Sequence, residues 1–460
     1  MSEAPALRPA PAAPAAMSSL WRSGLHAFAA GILSILLGIF LHILIARAAG
    51  PAGKGNYDLI LATSALLGMV LGFSLPAGLT YAVARGRANV RLLAWPLLAF
   101  TLGQGALAAA ILYALNFTGY ARFLLPSPWQ AWIIFAVALH LVFTAGTTYL
   151  RAILIGSEKI IQVNRREVIG RALHVFALLA VIGIFTIQQH QISAGTLIVF
   201  SLATTLLTGA MFFHVVRRSA TATFKSSGWK EIWAYAWPCY AGNLAQFLNY
   251  RLDVFFVNFF AGATAVGFYA LAVTLGQQIW LISASAATVL LPRVAAWQET
   301  KTVNPGKIAQ AARLTLWCSM LSALLLAVFA KPLLHALFGK AFLPSLPALL
   351  WLLPGIVAFS VVNVIASYFA GLGKPRVNLS IALAGLLVTI VLDLVLIPRY
   401  GISGAAIAST ASYVFSAGLT LVLFTRQSGV GWRLLLLLNR TDVETLRTLI
   451  SAARKREQPQ

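Results

Sequence analysis

The chain has 460 residues, of which 60% are hydrophobic and 10% charged, against about 45–50% apolar and 25% charged in soluble domains. Its 34 basic and 11 acidic residues give a net charge of +23, and so few charges cannot solvate a surface of this size. A cytosolic enzyme, a secreted disulfide scaffold and a disordered regulator are excluded, leaving an all-α polytopic membrane protein.

Residues 1–20, rich in Ala and Pro, read as a disordered cytoplasmic N-terminal tail, with Met17 as an alternative start to Met1. Beyond it, apolar stretches long enough to cross about 30 Å of hydrocarbon recur. They are expected near 24–48, 57–84, 92–117, 129–155, 167–188 and 192–216, then near 232–260, 264–293, 309–338, 343–371, 378–398 and 401–425. With both termini cytoplasmic, 27 of the 34 Lys and Arg residues fall on the inside, six outside and one, Arg251, within a span. That asymmetry obeys the positive-inside rule. The positive charge therefore belongs to loops and anionic lipid heads rather than to nucleic acid.

The longest polar break, Arg217 to Glu231, divides the spans six and six. An N-terminal six-helix lobe is expected over 21–218, a cytoplasmic linker over 219–231, a C-terminal six-helix lobe over 232–426 and a basic amphipathic tail over 427–460. The first outer turn of each half carries the same pattern: Ala49-Gly50 with Gly55 and Tyr57, and Ala261-Gly262 with Gly267 and Tyr269, offset by 212. Ile192-Ser193 and Ile402-Ser403 form a second echo. Because six is even, the halves are parallel repeats, an architecture that places a substrate route between lobes that rock. In the tail, Thr441 to Glu444 reads TDVE, a capping box that predicts a helix to about Lys455, held as a surface helix by anionic lipid.

Ionisable groups at bilayer depth cost about 2.5–3.5 kcal/mol each, so those present need a reason. The seventh span holds the most. At 100° per residue Asn243, Gln246, Asn249, Tyr250 and Asp253 share one side, while Arg251 points about 160° away from Asp253. Each charge then needs its own partner: substrate or a coupling ion in a water-filled cavity, or an ion pair to another helix. Snorkelling to the outer interface is a further option for Arg251. Thr274, Gln277, Gln278, Ser285 and Thr288 make a second stripe that either lines a cavity or bonds helix to helix. Gly31, Ser34, Gly38 and His42 form a close-packing seam on the first span. Arg47 and Asp58 bracket the first outer turn, as a surface lock or one end of the cavity. Asp393 is the other buried acid, and H+ or Na+ coupling is assigned to Asp253, Asp393 or Asp58 with no choice between them. Cys239 and Cys318 lie in apolar runs without metal or redox spacing. The chain carries no P-loop, so ATP hydrolysis is not expected, and no long outer loop carries clustered acids or His, which disfavours an enzyme.

The stretch from Asn243 to Ala295, with R-x-D at Arg251–Asp253, V-G-x-Y at Val266–Tyr269 and L-P-R at Leu291–Arg293, resembles the start of the second half of polysaccharide transporters. These are lipid-linked oligosaccharide flippases of the multidrug/oligosaccharidyl-lipid/polysaccharide (MOP) exporter superfamily. The run from Ile397 to Ser409 is similar to that family's last spans, and AAGPAGKGNYDL to its first outer turn; together the similarity covers most of 21–426. The resemblance implies two six-helix lobes around a cationic cavity that alternates between leaflets of the bacterial inner membrane. Its cargo would be a polyprenyl-pyrophosphate-linked glycan, with membrane lipids and a polysaccharide polymerase or assembly proteins as partners and no cofactor. On that reading Arg47 and Arg251 meet the pyrophosphate, and Asn243, Gln246, Asn249, Tyr250, Gln277 and Gln278 meet sugars. Twelve spans are two fewer than is usual for the superfamily's lipid II flippases, which favours a repeat-unit flippase. The alternatives are a cation-coupled multidrug extruder of the same superfamily and a membrane enzyme of glycan assembly.

Overall fold

The computed structural model describes residues 13–126, 131–187, 192–219, 228–300, 302–439 and 442. The helices are α1 (Ala13–Gly72), α2 (Leu75–Ala84), α3 (Val90–Phe117), α4 (Ala121–Leu124), α5 (Ala131–Gly156), α6 (Ile160–Ile187), α7 (Ala194–Ser219), α8 (Trp229–Gln277), α9 (Trp280–Glu299), α10 (Pro305–Phe338), α11 (Ser345–Gly371), α12 (Pro375–Ser428) and α13 (Trp432–Leu436). No strand occurs among the described residues. The helix α1 begins at Ala13, inside the stretch expected as a tail. Alanine is the best helix former, and Pro14 falls in the first turn, where its missing N–H costs nothing.

Among the described residues ten helices are long and apolar enough to cross a membrane. They supply the twelve expected crossings because α1, α8 and α12 each continue through a glycine kink, at Gly50 (φ 63°), Gly262 (φ 80°) and Gly401 (φ 56°), while the second arm of α8 and α9 together make one crossing. An L side chain rarely adopts that backbone. The second span of each repeat is interrupted. In the first repeat the break is Phe73–Ser74, with φ of 45° and 55° on two non-glycine residues. In the second, the N–H groups of Gln278 and Ile279 reach back only to Leu275 and Gly276, a 3-10 step between α8 and α9.

The chain forms two compact units that do not follow the six-and-six division. One comprises the described residues within 13–48, 75–105 and 139–236; the other those within 49–74, 106–138 and 237–442. The first unit is centred on Leu75, Leu79, Leu93, Tyr149, Phe212 and Ile232, all buried. Gly78 lets α2 approach the carbonyl of Ile232 so closely that a Cβ would stand 2.3 Å from it. In the Gly31–Ser34–Gly38 seam, the Arg171 guanidinium donates to the carbonyl of Ser34 at 2.8 Å. The stripe is a seat for another helix.

The second unit has cores around Val364, Ile365, Phe369 and Phe424 and around Phe359 and Tyr413. Here the repeat pattern acquires a physical meaning. A Cβ on Gly55 would meet the carbonyl oxygen of Ala263 at 1.7 Å, and one on Gly267 would meet that of Pro51 at 2.1 Å. Residues 51 and 263 carry the same offset as 55 and 267, so the contact is reciprocal, as a two-fold relation requires. Beside it, Asn258 Nδ2 donates to the carbonyls of Arg122 and Leu125 at 2.8 and 3.1 Å, and Phe123 packs on Phe255, Phe256 and Phe259.

The C-terminal strap after α12 is fastened to α10. Arg313 is buried and makes a two-pronged pair with Asp442, with both N–O distances 2.6 Å. It also donates to the carbonyl of Leu434, and Trp317 Nε1 donates to that of Leu436 at 2.9 Å. The predicted helix from Thr441 to Lys455 lies outside the described residues except for Asp442. Hydrogen bonds from Arg313 hold the Asp442 carboxyl below the usual carboxylate range, against desolvation that pushes it up.

Two outcomes follow. Gly55→Ala forces backbone apart, and its overpacking cost of about 1–3 kcal/mol is expected to lower the thermal midpoint of the purified protein; an unchanged midpoint removes the contact's importance. A depressed carboxylate stabilises above its unfolded pKa of about 3.9 and stops doing so as pH falls through the lower folded value. The strap should therefore resist limited proteolysis at pH 7 and at pH 5 alike and yield only in stronger acid, whereas Asp442→Asn should yield at pH 7.

Candidate functional site

The polar face of α8 does not present one surface. Asn243 is exposed yet committed: its Nδ2 donates to Ser74 Oγ at 3.0 Å. One turn earlier Tyr240 donates to the carbonyl of Val70 at 2.9 Å, and Trp237 and Tyr240 pack on Phe73 with ring centroids 6.0 and 5.1 Å away. Two adjacent left-handed residues cost of order 1–3 kcal/mol each and persist only where surroundings enforce them. Asn243, expected in the cavity, is part of that enforcement.

Gln246 and Asn249 enter a small cavity within the second unit, of ≈ 30 Å³, shared with Asn378, Ser416 and Thr420. It holds about one water and no sugar ring. Asn249 Nδ2 donates to the carbonyl of Ala382 at 2.6 Å, while its Oδ1 is buried without a protein partner. Tyr250 turns into an aromatic cluster with Trp280 at 5.0 Å and Phe359 at 5.7 Å. Half-buried Arg251 lies within electrostatic range of Asp253 and Tyr413.

Deeper in the same unit is a buried acid site. Asp253 accepts from the Tyr269 hydroxyl at 2.5 Å, from the Ser409 hydroxyl at 3.1 Å and from the N–H of Val254 at 2.8 Å. Asp393 lies within electrostatic range of Asp253. It is fully buried, and neither of its carboxyl oxygens has a hydrogen-bond partner. Buried polar atoms are as a rule paired, and Asp393 is the acid among the described residues with both carboxyl oxygens buried and unpaired.

A polar seam joins the cavity to the acids. On the first arm of α12, Asn378, Ala382, Gly385, Thr389 and Asp393 succeed one another at three- and four-residue steps, and on its second arm so do Ser409, Ser412, Ser416 and Thr420. Gly385 brings the arms together: a Cβ there would stand 2.4 Å from Ser416 Oγ, and Ser412 Oγ donates to the Gly385 carbonyl at 2.8 Å. Each step is a hydroxyl, an amide or a bare carbonyl. At the acid end Asp253 and Asp393 offer carboxylate oxygens, donors suited to a proton or a small hard cation. No cluster of three or more His, Cys, Asp or Glu side chains suited to a metal occurs among the described residues.

The remaining expected residues lie elsewhere. Arg47 is exposed and belongs to the first unit, whereas Asp58 belongs to the second and forms an ion pair with Lys54 one turn away. Lys54 is completely buried. Gln278 donates to its own helix at Thr274, and Ser285 and Thr288 likewise bond back four residues. The stripe satisfies itself at the break between α8 and α9, with Gln277 half-buried beside it. Tyr269 and Ser409 were missed as ligands of Asp253, although the first is the tyrosine of V-G-x-Y and the second ends the Ile397–Ser409 run.

Comparison with known proteins gives the lineage. A family model described as polysaccharide biosynthesis protein matches residues 20–298, and one described as lipid II flippase MurJ matches residues 174–453. The chain belongs to these families. An inward closed structure of the lipid II flippase MurJ aligns with a TM-score of 0.67 at 15% identity, covering 86% of this chain and 87% of that one. An inward-facing multidrug resistance MATE transporter of the MOP superfamily aligns at 0.63 and 13%, covering 86% and 94%. A MOP transporter from Pyrococcus furiosus, described by the reverse polarity of its binding pocket, aligns at 0.58 and 14%, covering 88% and 94%. Among curated sequences, membrane protein MJ1375 of Methanocaldococcus jannaschii is 24% identical over 312 residues, 63% of this chain and 71% of that protein. The MOP two-lobe, all-helical fold is thus the fold of this chain, as expected from its motifs.

Removing the hydroxyl that Asp253 and Ser409 share, in Tyr269→Phe, is expected to cost about 1–3 kcal/mol, read as a lower thermal midpoint. The double variant with Ser409→Ala should lose less than the sum of the single losses, because the two hydroxyls serve one acid. Strict additivity would show that they act separately.

Proposed function

We propose that this MOP protein flips a polyprenyl-pyrophosphate-linked oligosaccharide from the cytoplasmic to the outer leaflet of the bacterial inner membrane by alternating access, for surface polysaccharide assembly. The observation that carries the reading is the double family match. One model is named for polysaccharide biosynthesis and the other for flipping lipid II, and both take in the α8 segment that holds Arg251 and Asp253. The charge balance agrees: a pyrophosphate cargo calls for guanidinium groups near the route, and Arg251 is a half-buried cation in α8. Positive-inside asymmetry sets both termini in the cytoplasm.

The Asp253–Asp393 site supplies the coupling ion's place. An acid buried with neither oxygen paired is costly unless it is protonated or meets a cation, so Asp393 is the group we assign to bind H+ or Na+, with Asp253 and its two hydroxyls beside it. The seam from the Gln246–Asn249 cavity provides hydrogen-bonding groups along the way. Arg47, Asn243, Gln277 and Gln278 do not belong to this ion site, and of these Arg47 stays in the proposal as a cargo residue.

One observation favours a second reading, a multidrug extruder. The chain shares the fold of the multidrug resistance transporters, and its acids lie near an aromatic cluster of Tyr250, Trp280, Phe359 and Tyr413.

In cells lacking the protein, lipid-linked glycan should accumulate on the cytoplasmic leaflet, as read by leaflet-selective labelling. Wild type should clear it, and Arg251→Ala should not at equal expression. In proteoliposomes, Asp393→Asn should reduce flipping driven by an imposed H+ or Na+ gradient by at least about tenfold, the scale set by losing one charge-specific interaction of 1.4 kcal/mol or more. Normal glycan export in the deletion strain, together with a lost drug resistance, would replace the flippase with the extruder.

A further inference from the structure

A pocket of ≈ 430 Å³ opens between α6 and α7, lined by Arg165, Arg166, Ile169, Ala210, Met211 and His214. All six belong to the first unit, and neither the transport reading nor the acid site uses them. Two guanidiniums and an imidazole at one end, with three apolar side chains at the other, match a ligand that is itself divided into phosphate and hydrocarbon.

Three features make this more than a charged loop. The arginines lie five and six residues into α6 and His214 five before the end of α7, which at 1.5 Å per residue places them about 8 Å inside the helix ends. The neighbouring acid is occupied elsewhere: Glu167 accepts from Arg151 Nε at 2.5 Å. Among the described residues, neither Arg165 nor Arg166 forms an ion pair. Finally, the walls are fixed. Just beyond Ile169, a Cβ on Gly170 would stand 2.3 Å from Thr208 Oγ1, so the helices touch where the pocket closes.

Below the arginines the surface turns apolar along both helices. Ile169, Leu173 and Phe176 follow one another down one face of α6, and Leu206 and Leu207 are exposed on α7. A free phosphate has no use for that surface, whereas an acyl chain does.

We infer that the α6–α7 pocket binds an anionic phospholipid, its phosphate held by Arg165, Arg166 and His214 and its acyl chain lying on the apolar face below. This site is separate from the transport route and goes beyond the proposed function. Basic pockets between membrane helices on the cytoplasmic side are the recurring form of such sites, and guanidinium is the group suited to phosphate.

The test is native mass spectrometry of the purified full-length protein, titrated with phosphatidylglycerol, phosphatidylethanolamine or inorganic phosphate. Wild type should retain phosphatidylglycerol over phosphatidylethanolamine, and the double variant Arg165→Ala/Arg166→Ala should weaken that retention by about tenfold or more. The double variant Arg85→Ala/Arg87→Ala removes equal charge from the loop between α2 and α3 and should leave it unchanged. An equal loss in both variants would reduce the effect to diffuse charge and overturn the proposal. Displacement of the lipid by inorganic phosphate at equal concentration would also overturn it, in favour of a soluble anion. If the arginine variant does not fold, Ala210→Leu narrows the pocket while keeping both guanidiniums, and undiminished phosphatidylglycerol retention there refutes the site.

Discussion

Backbone meeting backbone at Gly55 and Gly267 is the constraint to which the second unit is referred. Each glycine faces the carbonyl of the residue four places before its counterpart, so neither repeat can carry a side chain there without displacing the other. The effect passes directly to the chemistry. Two residues beyond Gly267 comes Tyr269, completely buried, and its hydroxyl is the closest donor to Asp253. Two beyond Gly55 comes Tyr57, also buried, with the Lys54–Asp58 pair around it. A shared frame positions different ionic groups in the two halves: a cation–anion pair in the first, an acid with hydroxyl donors in the second.

That asymmetry is reflected in how polar groups are satisfied. Lys54 and Arg313 are both nearly inaccessible and both have carboxylate partners, the condition under which a buried cation is tolerable. Asp253 is likewise saturated, by two hydroxyls and an N–H. Asp393 is not. Within one unit the same sequence therefore builds closed charge sites and one open site, and the open one lies at the end of a seam whose other members hydrogen-bond to one another or to bare helix carbonyls.

The crossings, the internal repeat and the acids of the membrane region were legible in the sequence because each depends on local pattern: run length, spacing, the cost of a charge in hydrocarbon. What could not be read was the identity of long-range partners. Asn243 looked like a cavity residue because it lies on the helix face of Asp253, and only the fold reveals Ser74 opposite it. The break at Phe73–Ser74 carries no glycine, and its cause lies in Trp237 and Tyr240, more than 160 residues away. The Ser409–Thr420 spacing was visible, but hydroxyls in an apolar helix bond back to their own carbonyls so often that spacing alone does not separate a seam from self-satisfied turns.

The bare glycine contact also bears on how fast the two surfaces can part. Interdigitated side chains must leave their rotamer wells and mesh again whenever packed helices separate, and that repacking makes most interfaces two-state. Carbonyls resting against Cα atoms have no such teeth. The joint behaves as a plain bearing, in which separation costs the wetting of a strip of main chain and no search through side-chain conformations.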